Sequence, residues 1–336
     1  MKNWEKVLIT IVLLVTGAIY IGQHGIDVLA AGPGGSSELG NFDRTFTVNG
    51  PVQLNIENGS GSVSVRRGTS DKVEIHAKIR SNNWFSGDVE EQAKKIVANP
   101  PVEQNGNNIR IYKPEPHDFF NHVSITYDIT VPEDTTLNSA TGSGSQTVAS
   151  IKGPVSVRSG SGSLNITDIG NQAEATTGSG SITLQSIKGP AKVQTGSGSV
   201  HADGIAGAFR VRTGSGGIDA RLTSPGDVDA QTGSGHITIE DVNGGVSARA
   251  GSGSIKVNGR PTSEWNVHSG SGSIDLRVAG EQGLDLYART SSGSVNVDSP
   301  ITLEGGQINR HEVRGKIRGG GTRLEATTGS GTIHIQ

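Results

Sequence analysis

The sequence of 336 residues contains no cysteine and only one methionine. Without cysteine, the chain cannot form a disulfide scaffold, an iron–sulfur site or a thiol nucleophile. Aromatic residues make up only 4% of the chain, which argues against a core of large side chains. The formal net charge is −3, so the chain lacks the basic field that nucleic-acid binders usually carry. No nucleic-acid partner is therefore expected.

Glycine, in contrast, is abundant, with 50 residues against only 12 prolines. This is about twice the usual share of ~7%. The glycines do not fall at every third position, and proline is scarce, so the composition is not that of collagen. The position of the glycines along the chain, rather than their number, is therefore the informative feature.

The triplet Gly-Ser-Gly recurs through the C-terminal two thirds of the chain. It begins at Gly142, Gly160, Gly178, Gly196, Gly214, Gly233, Gly251, Gly270 and Gly329, with Ser291-Ser292-Gly293 as a variant. Most starts are 18 or 19 residues apart, and we interpret the gap of 38 before the last one as two periods that contain one degenerate coil. An outlying copy, Asn58-Gly-Ser-Gly-Ser62, lies well upstream.

Apolar and polar residues alternate on both sides of each triplet. After it, Leu164 and Ile166 are separated by one polar residue, and before it Val155 and Val157 are separated in the same way. The other copies repeat these columns. A period of two is typical of a strand with one buried face. Each period therefore predicts a strand, a turn, a second strand and a second turn.

One such period has too few apolar side chains to fold alone, so the coils must stack and share hydrogen bonds. The predicted fold is all-β: a narrow two-sided β-solenoid of about ten 18-residue coils over residues 136–336. Glycine fits the tight corners, and we expect the central serine hydroxyls to stack and to satisfy one another and the corner amides. A phosphate-binding loop is disfavoured, because no Lys-Ser, Lys-Thr or helix pattern follows a triplet.

Residues 41–135 show strand patterns without the 18-residue period, and Gly87 to Ala98 is the one good helix candidate. We predict that this β-rich region with one helix caps the solenoid, whose end strands need cover. Two aromatic pairs, Trp84-Phe85 and Phe119-Phe120, either pack the helix onto a sheet or bind a partner or a glycan ring. The pattern does not decide between these roles.

The N-terminus resembles an export segment. Lys2 and Lys6 precede an uncharged apolar run from Val7 to Ile21, and Val28-Leu29-Ala30-Ala31 offers a small-residue cleavage site. We predict a signal peptide or an N-terminal membrane anchor at residues 1–31 and a flexible linker at 32–40. The rest of the chain is then exported, either anchored to the membrane or released as a secreted or periplasmic protein.

Catalytic and metal-binding patterns are weak. His117 and His122 are five residues apart and match no standard zinc motif. Asp219 and Asp275 share an outward column three coils apart, which is too far for a carboxylate pair. No Gly-x-Ser-x-Gly nucleophile motif occurs. We therefore expect no enzyme activity, no cofactor and no metal site.

One outward column contains several arginines. Two positions before the triplets lie Arg158, Arg212, Arg249 and Arg289, interspersed with amides. We select these four as candidate ligand-binding residues, because such a stripe could hold an anionic polymer such as an acidic glycan. The alternative is that the arginines keep a sheet face soluble.

The recurrent Thr-Gly-Ser-Gly-Ser-Ile corners resemble the bacterial "putative adhesin" domains of unknown function that occur on envelope proteins. Tyr127-Asp-Ile-Thr-Val-Pro132, Gly315-Lys-Ile-Arg-Gly-Gly-Gly321 and Thr328-Gly-Ser-Gly-Thr-Ile333 add to this likeness, which covers roughly residues 40–336. The resemblance implies an exported β-solenoid with a role in adhesion or envelope sensing, and it supplies no catalytic residues.

The leading hypothesis is a non-enzymatic exported protein that binds an envelope polysaccharide or another surface component through one solenoid face. The alternatives are a structural or regulatory envelope protein that engages a surface protein and, with less support, a polysaccharide-acting β-helix enzyme. The third alternative requires a compact acidic or basic-acidic cleft across two or three adjacent coils, which the columns do not show.

Overall fold

A computed structural model describes residues 37–81, 87–113, 123–303 and 309–336 of the chain. The predicted signal peptide or anchor at 1–31 and both aromatic pairs lie outside the described residues. So do His117 and His122. The first strand begins at Ser37, within the range predicted as a linker. Residues Glu38–Gln336 form one compact unit.

The described residues of the N-terminal part form seven strands and one helix. In chain order they are β1 (Ser37–Thr47), β2 (Val52–Ser60), β3 (Val63–Arg67), β4 (Lys72–Ser81), α1 (Gly87–Ala98), β5 (Val102–Asn105), β6 (Asn108–Ile111) and β7 (Val123–Val131). Helix α1 occupies the residues that the sequence pattern predicted. Within the described part of the chain, no helix is long and apolar enough to cross a membrane.

The middle of the chain contains the regular strands. They are β8 (Thr135–Ser143), β9 (Gln146–Ile151), β10 (Val155–Ser161), β11 (Leu164–Ile169), β12 (Ala173–Ser179), β13 (Ile182–Ile187), β14 (Ala191–Ser197), β15 (Val200–Ala206), β16 (Phe209–Ser215), β17 (Ile218–Ser224), β18 (Val228–Ser234), β19 (Ile237–Ser252), β20 (Ile255–Ser271) and β21 (Ile274–Val278). The C-terminal strands are β22 (Leu284–Ser292), β23 (Val295–Val297), β24 (Ile301–Thr302), β25 (Glu312–Ile317), β26 (Thr322–Ser330) and β27 (Ile333–Ile335).

The prediction of an all-β solenoid is confirmed. Strands before each triplet pair in parallel with the equivalent strands of neighbouring coils, as β10 does with β8 and β12. Strands after each triplet form a second parallel ladder, as β11 does with β9 and β13. We call these two ladders the leading side and the trailing side. The long strands β19 and β20 run through a turn and contribute to both sides.

The alternating apolar residues of both sides point inward and form the core. Leu164 stacks on Ile182, and Val155 stacks on Ala173, so each column is continuous from coil to coil. These side chains are at most 2% exposed. The largest buried side chain is Trp265, whose indole nitrogen donates to the carbonyl oxygen of Gly244 at 2.9 Å. This bond satisfies the one polar atom of the ring.

The corners explain why both glycines of the triplet are needed. At Gly198, φ is +150°, and a Cβ atom there would lie 2.1 Å from the carbonyl oxygen of Gly180 in the previous coil. The first glycine is also constrained, because a Cβ at Gly196 would lie 2.6 Å from the oxygen of Gly178. Stacked coils thus bring the corner backbones closer than any side chain allows.

The central serines stack in register, as Ser161 does on Ser179, and lie exposed at the corners. The corner amides do not depend on their hydroxyls as predicted, because they donate to backbone carbonyls, as Gly162 N–H does to the Ser179 oxygen at 3.0 Å. The residue just before most corners supplies an inward hydroxyl that donates to a corner carbonyl of the neighbouring coil at 2.9–3.0 Å. The donors are Ser159, Thr177, Thr195, Thr213, Thr232, Ser269, Thr290 and Thr328. We call this set the hydroxyl column. It satisfies carbonyls that would otherwise be buried without a partner.

Near the N-terminus, the first coil of the sequence is not the first coil of the stack. Strand β2 lies between β6 and β8, and β3 lies between β7 and β9, with parallel pairing on both sides. The outlying Asn58–Ser62 copy therefore forms a true corner inside the stack. The stack continues across residue 135, and residues 41–135 contribute both coils and the elements that cover the end.

The C-terminal end repeats this arrangement. Strand β26 lies between β20 and β22, and β27 lies between β21 and β23. The last coil of the sequence is therefore inserted between two coils that precede it. The described residues of the 38-residue gap do not form the degenerate coil that we predicted. Its described residues instead form β24 and β25, which pair antiparallel with each other, and β25 also pairs antiparallel with β22.

Antiparallel strands cover the outer coils at both ends. At the N-terminal end, β5 pairs with β6, and β4 pairs with β7. At the C-terminal end, β25 covers β22. An antiparallel strand interrupts the parallel ladder of coils, so it removes the template on which a further coil could add.

Candidate functional site

The four candidate arginines share one outward ladder on the leading side. Residues two positions before the corners stack in register, in the spatial order Ala140, Arg158, Thr176, Gln194, Arg212, Gln231, Arg249, His268, Thr327 and Arg289. The inserted coil places Thr327 between His268 and Arg289. Arg289 therefore lies three rungs from Arg249, and the sequence order alone would have given two.

An open groove of about 680 Å³ follows the central part of this ladder. Its outward side chains are Thr176, Gln194, Arg212, Gln231, Arg249 and His268, and corner glycines line it as well. Six rungs at ~4.8 Å spacing make it about 24 Å long. Of the four candidate arginines, the groove includes Arg212 and Arg249. Arg158 and Arg289 lie beyond its two ends.

The arginines differ in their neighbours. Arg158 lies 3.7 Å from Glu174, and Arg289 lies 4.0 Å from Glu312. A hydrogen bond with Tyr287, followed by the charge of Glu312, raises the pKa of Arg289. The guanidinium groups of these two residues thus have acidic or phenolic partners within the protein.

The two arginines in the groove also have partners within the protein. Arg212 lies 3.8 Å from Asp229, which also contacts Arg210 at 3.5 Å. Arg249 donates a hydrogen bond to the Ser247 hydroxyl at 2.8 Å. The residues that line the groove include these two guanidinium groups and no carboxylate, so the groove itself is positively charged.

Gln231 lies between Arg212 and Arg249 on the same ladder. Its side-chain nitrogen donates to a carboxylate oxygen of Asp229 at 3.1 Å. The amide is therefore oriented by Asp229, and its carbonyl oxygen remains an acceptor for the groove.

A second outward column runs beside the first and is more evenly charged. It contains Glu174, Lys192, Arg210 and Asp229 on successive rungs, in a broad groove of about 1200 Å³. Lys192 pairs with Glu174 at 3.0 Å. These four rungs carry two acidic and two basic side chains, so the charges of this column balance.

On the trailing side, the structure pairs His236 with Asp219, which sequence reasoning missed. The Nε2 atom of His236 lies 3.2 and 3.3 Å from the two carboxylate oxygens. Most other corners have serine in the column that contains His236 and Gly217. A Cβ at Gly217 would lie 2.2 Å from the imidazole, so glycine makes room for the ring. These two departures from the repeat lie in adjacent coils, and they could have indicated this pair from the sequence.

The trailing side also contains a cavity of about 420 Å³ that is lined by His201, Asp203, Asp219, Arg221 and Glu240. Arg221 donates to Glu240 at 2.7 Å, and this hydrogen bond lowers the pKa of the Glu240 carboxyl. Among the residues that the structure describes, no group of three or more His, Asp or Glu side chains could hold a metal ion.

Comparison with known proteins gives a family and one distant structural likeness. No curated protein has a sequence that matches this chain significantly. A crystal structure of a "putative cell adhesion protein" from Clostridium sporogenes ATCC 15579 shares 12% identity and covers 88% of this chain and 99% of its own. Its TM-score is 0.23, so we draw no conclusion from it.

The family assignment rests on a match to a family model. Residues 51–336 match the family Toastrack DUF4097, a domain of unknown function. The match includes the Asn58–Ser62 corner, both covered ends and every coil of the stack that follows β2. The chain therefore belongs to the Toastrack DUF4097 family.

Proposed function

We propose that this protein is a non-enzymatic surface binder, and that its leading-side groove holds an extended anionic polymer such as an envelope polysaccharide. The observation that carries the proposal is the cationic groove of stacked rungs around Arg212 and Arg249. Guanidinium groups donate paired hydrogen bonds to carboxylates, sulfates and phosphates. A row of them in register favours a ligand that repeats.

The shape of the groove supports a polymer ligand. It is open along its length and extends over about 24 Å. Small-molecule sites are usually enclosed and mostly apolar. A chain molecule that lies along the solenoid axis can contact every rung in turn, so several weak contacts add up to useful affinity.

A protein partner is the second candidate, and the surface favours it less. In the described residues, the one large hydrophobic side chain that is well exposed is Leu303. The centres of protein interfaces are usually enriched in aromatic residues and depleted in charge. The leading side has charged and amide side chains instead, which suits a hydrated glycan.

The carboxylates near the groove support a non-enzymatic role. Glu174 and Asp229 lie three rungs apart, which is about 14 Å, and each contacts basic side chains. Glycoside hydrolysis requires two carboxyl groups within roughly 5–9.5 Å of each other. Asp227 lies only two residues before Asp229, but its carboxylate accepts a hydrogen bond from the Gly245 backbone N–H at 2.7 Å. Because these carboxylates are held by basic or backbone partners, we propose binding without cleavage of the polymer.

The proposal places the protein outside the cytoplasm, because of the apolar segment at residues 7–21 and the basic residues before it. Cell fractionation with N-terminal sequencing tests this. A mature protein that starts at Ala31 supports a cleaved signal peptide, and an intact N-terminus in the membrane fraction supports an anchor. An intact N-terminus in the cytosolic fraction would contradict export.

Binding is tested with an array of acidic and neutral oligosaccharides. We compare the full chain with the double variant Arg212→Ser/Arg249→Ser and with the control Arg221→Ser/Arg277→Ser on the trailing side. Both variants lose two exposed arginines and the same net charge. We expect the groove variant to lose at least tenfold in affinity and the control to keep it. Equal loss in both, or binding to no acidic oligosaccharide, would refute the proposal.

A further inference from the structure

This inference rests on the proposed function and specifies its ligand. We infer that the groove selects a polymer with an acidic group on every second residue and a neutral hydrogen-bond donor on the residue between. Three observations support it: the two arginines flank one amide on the ladder, Asp229 orients that amide, and the rung spacing matches that of linked sugars.

The two guanidinium groups in the groove are separated by one amide rung. In spatial order, the central rungs present Gln194, Arg212, Gln231 and Arg249. Arg212 and Arg249 are thus two rungs apart, which corresponds to about 9.6 Å. Two linked pyranose rings in an extended chain span a similar length. Acidic groups on two alternate sugars would therefore lie at Arg212 and Arg249.

Gln231 determines which ligand group can bind at the rung between Arg212 and Arg249. One N–H of its amide donates to Asp229, which leaves the carbonyl oxygen as an acceptor and the second N–H as a donor. Asp229 itself is only 28% exposed and lies beside the same rung. A carboxylate at this place would meet an acceptor and a second carboxylate, whereas a hydroxyl or an amide N–H can donate to Gln231. The Gln231 rung therefore disfavours a ligand that has an acidic group on every residue.

The two outer arginines are out of phase with this period. Arg158 lies three rungs from Arg212, and Arg289 lies three rungs from Arg249. A ligand that places its acids at Arg212 and Arg249 would place neutral residues at these two positions. The inference therefore divides the four candidate arginines into an inner pair that binds and an outer pair that does not.

The experiment measures affinity by calorimetry for three hexasaccharides, with the full chain. Hyaluronan hexasaccharide has a carboxylate on alternate residues and an N-acetyl group between, hexagalacturonate has one on every residue, and chitohexaose is neutral and N-acetylated. We expect the hyaluronan hexasaccharide to bind at least tenfold more tightly than hexagalacturonate, and we expect chitohexaose not to bind. The Gln231→Arg variant makes three successive rungs cationic, so its preference should reverse.

A matched pair of variants tests the phase. Arg212→Ser/Arg249→Ser should abolish binding of the alternating ligand, and Arg158→Ser/Arg289→Ser, on the same ladder, should leave it within about twofold. Circular dichroism and the urea midpoint establish that each variant is folded. If no acidic hexasaccharide binds, the proposed function fails. If both acidic ligands bind equally, if hexagalacturonate is preferred, or if the outer pair matters as much as the inner pair, only this inference fails.

Discussion

The hydroxyl column predicts that single oxygen atoms stabilise the corners of the stack. Thr213 is 6% exposed, and its hydroxyl donates to the carbonyl oxygen of Gly198 at 3.0 Å. Replacement by valine keeps the shape of the side chain but removes the donor. The net loss of such a bond is about 1 kcal/mol, and a buried carbonyl without a partner raises the cost to about 1–3 kcal/mol.

The chain contains a natural exception that allows the opposite experiment. Ala250 occupies the position of the hydroxyl column in its coil, so the corresponding carbonyl of Gly235 does not receive this bond. The Ala250→Ser variant supplies the missing donor, as Ser159 and Ser269 do in other coils. We expect it to stabilise the protein by about 0.5–1.5 kcal/mol.

Equilibrium urea unfolding followed by far-UV circular dichroism measures both effects, as shifts of the midpoint at constant slope. Thr213→Val should lower the midpoint and Ala250→Ser should raise it. Thr213→Ser is the control, because it keeps the hydroxyl and loses only a methyl group. If Thr213→Val matches the wild type, or if Thr213→Ser costs as much as Thr213→Val, the hydroxyl column does not stabilise the corners as described.

Three further predictions concern packing, charge and topology. Gly198→Ala should destabilise the protein by at least about 2 kcal/mol in urea unfolding, whereas Gly106→Ala, which meets no atom within 4 Å, should cost about 1 kcal/mol. The hydrogen bond from Lys152 lowers the pKa of Glu133, so its contribution is present above the unfolded-state pKa and disappears as the pH falls through the folded-state pKa. We compare the fall of the urea midpoint on acidification in the wild type and in Lys152→Met. An equally steep fall in the variant would contradict this prediction. Deletion of residues 173–190 should leave a folded stack by circular dichroism, because the remaining columns stay in register, whereas deletion of 322–336 should unfold the C-terminal coils. Equal tolerance of both deletions would contradict the inserted position of the last coil.

The individual coil was predictable from the sequence because its physics is local. Columns such as Leu164 and Ile182 alternate with polar residues, and the structure stacks them in register. The corner glycines were also predictable, since a turn this tight leaves no room for a Cβ atom. The hydroxyl column could have been found. Thr177 lies two positions after the apolar column at Ala175, so it continues the inward phase.

The order of the coils in space could not have been predicted from the repeats. Every coil presents the same columns, so β26 is compatible with any pair of neighbours. Its position between β20 and β22 depends on the long connection through β24 and β25, which does not share the period. For the site as well, the column of residues was predictable, and the spatial order of its rungs was not. The arginine column followed from the repeat, but the separation of Arg289 from the groove followed from the inserted coil.

The two inserted coils restrict how a protein of this architecture can change in length. The first and the last coils of the sequence are each held between two others, so an extra coil cannot be appended at either terminus without breaking pairs that already exist. The regular run between β8 and β20 has no such restriction. Gain or loss of whole repeats should therefore occur in the interior, where each added rung would lengthen the groove while both ends keep their covers.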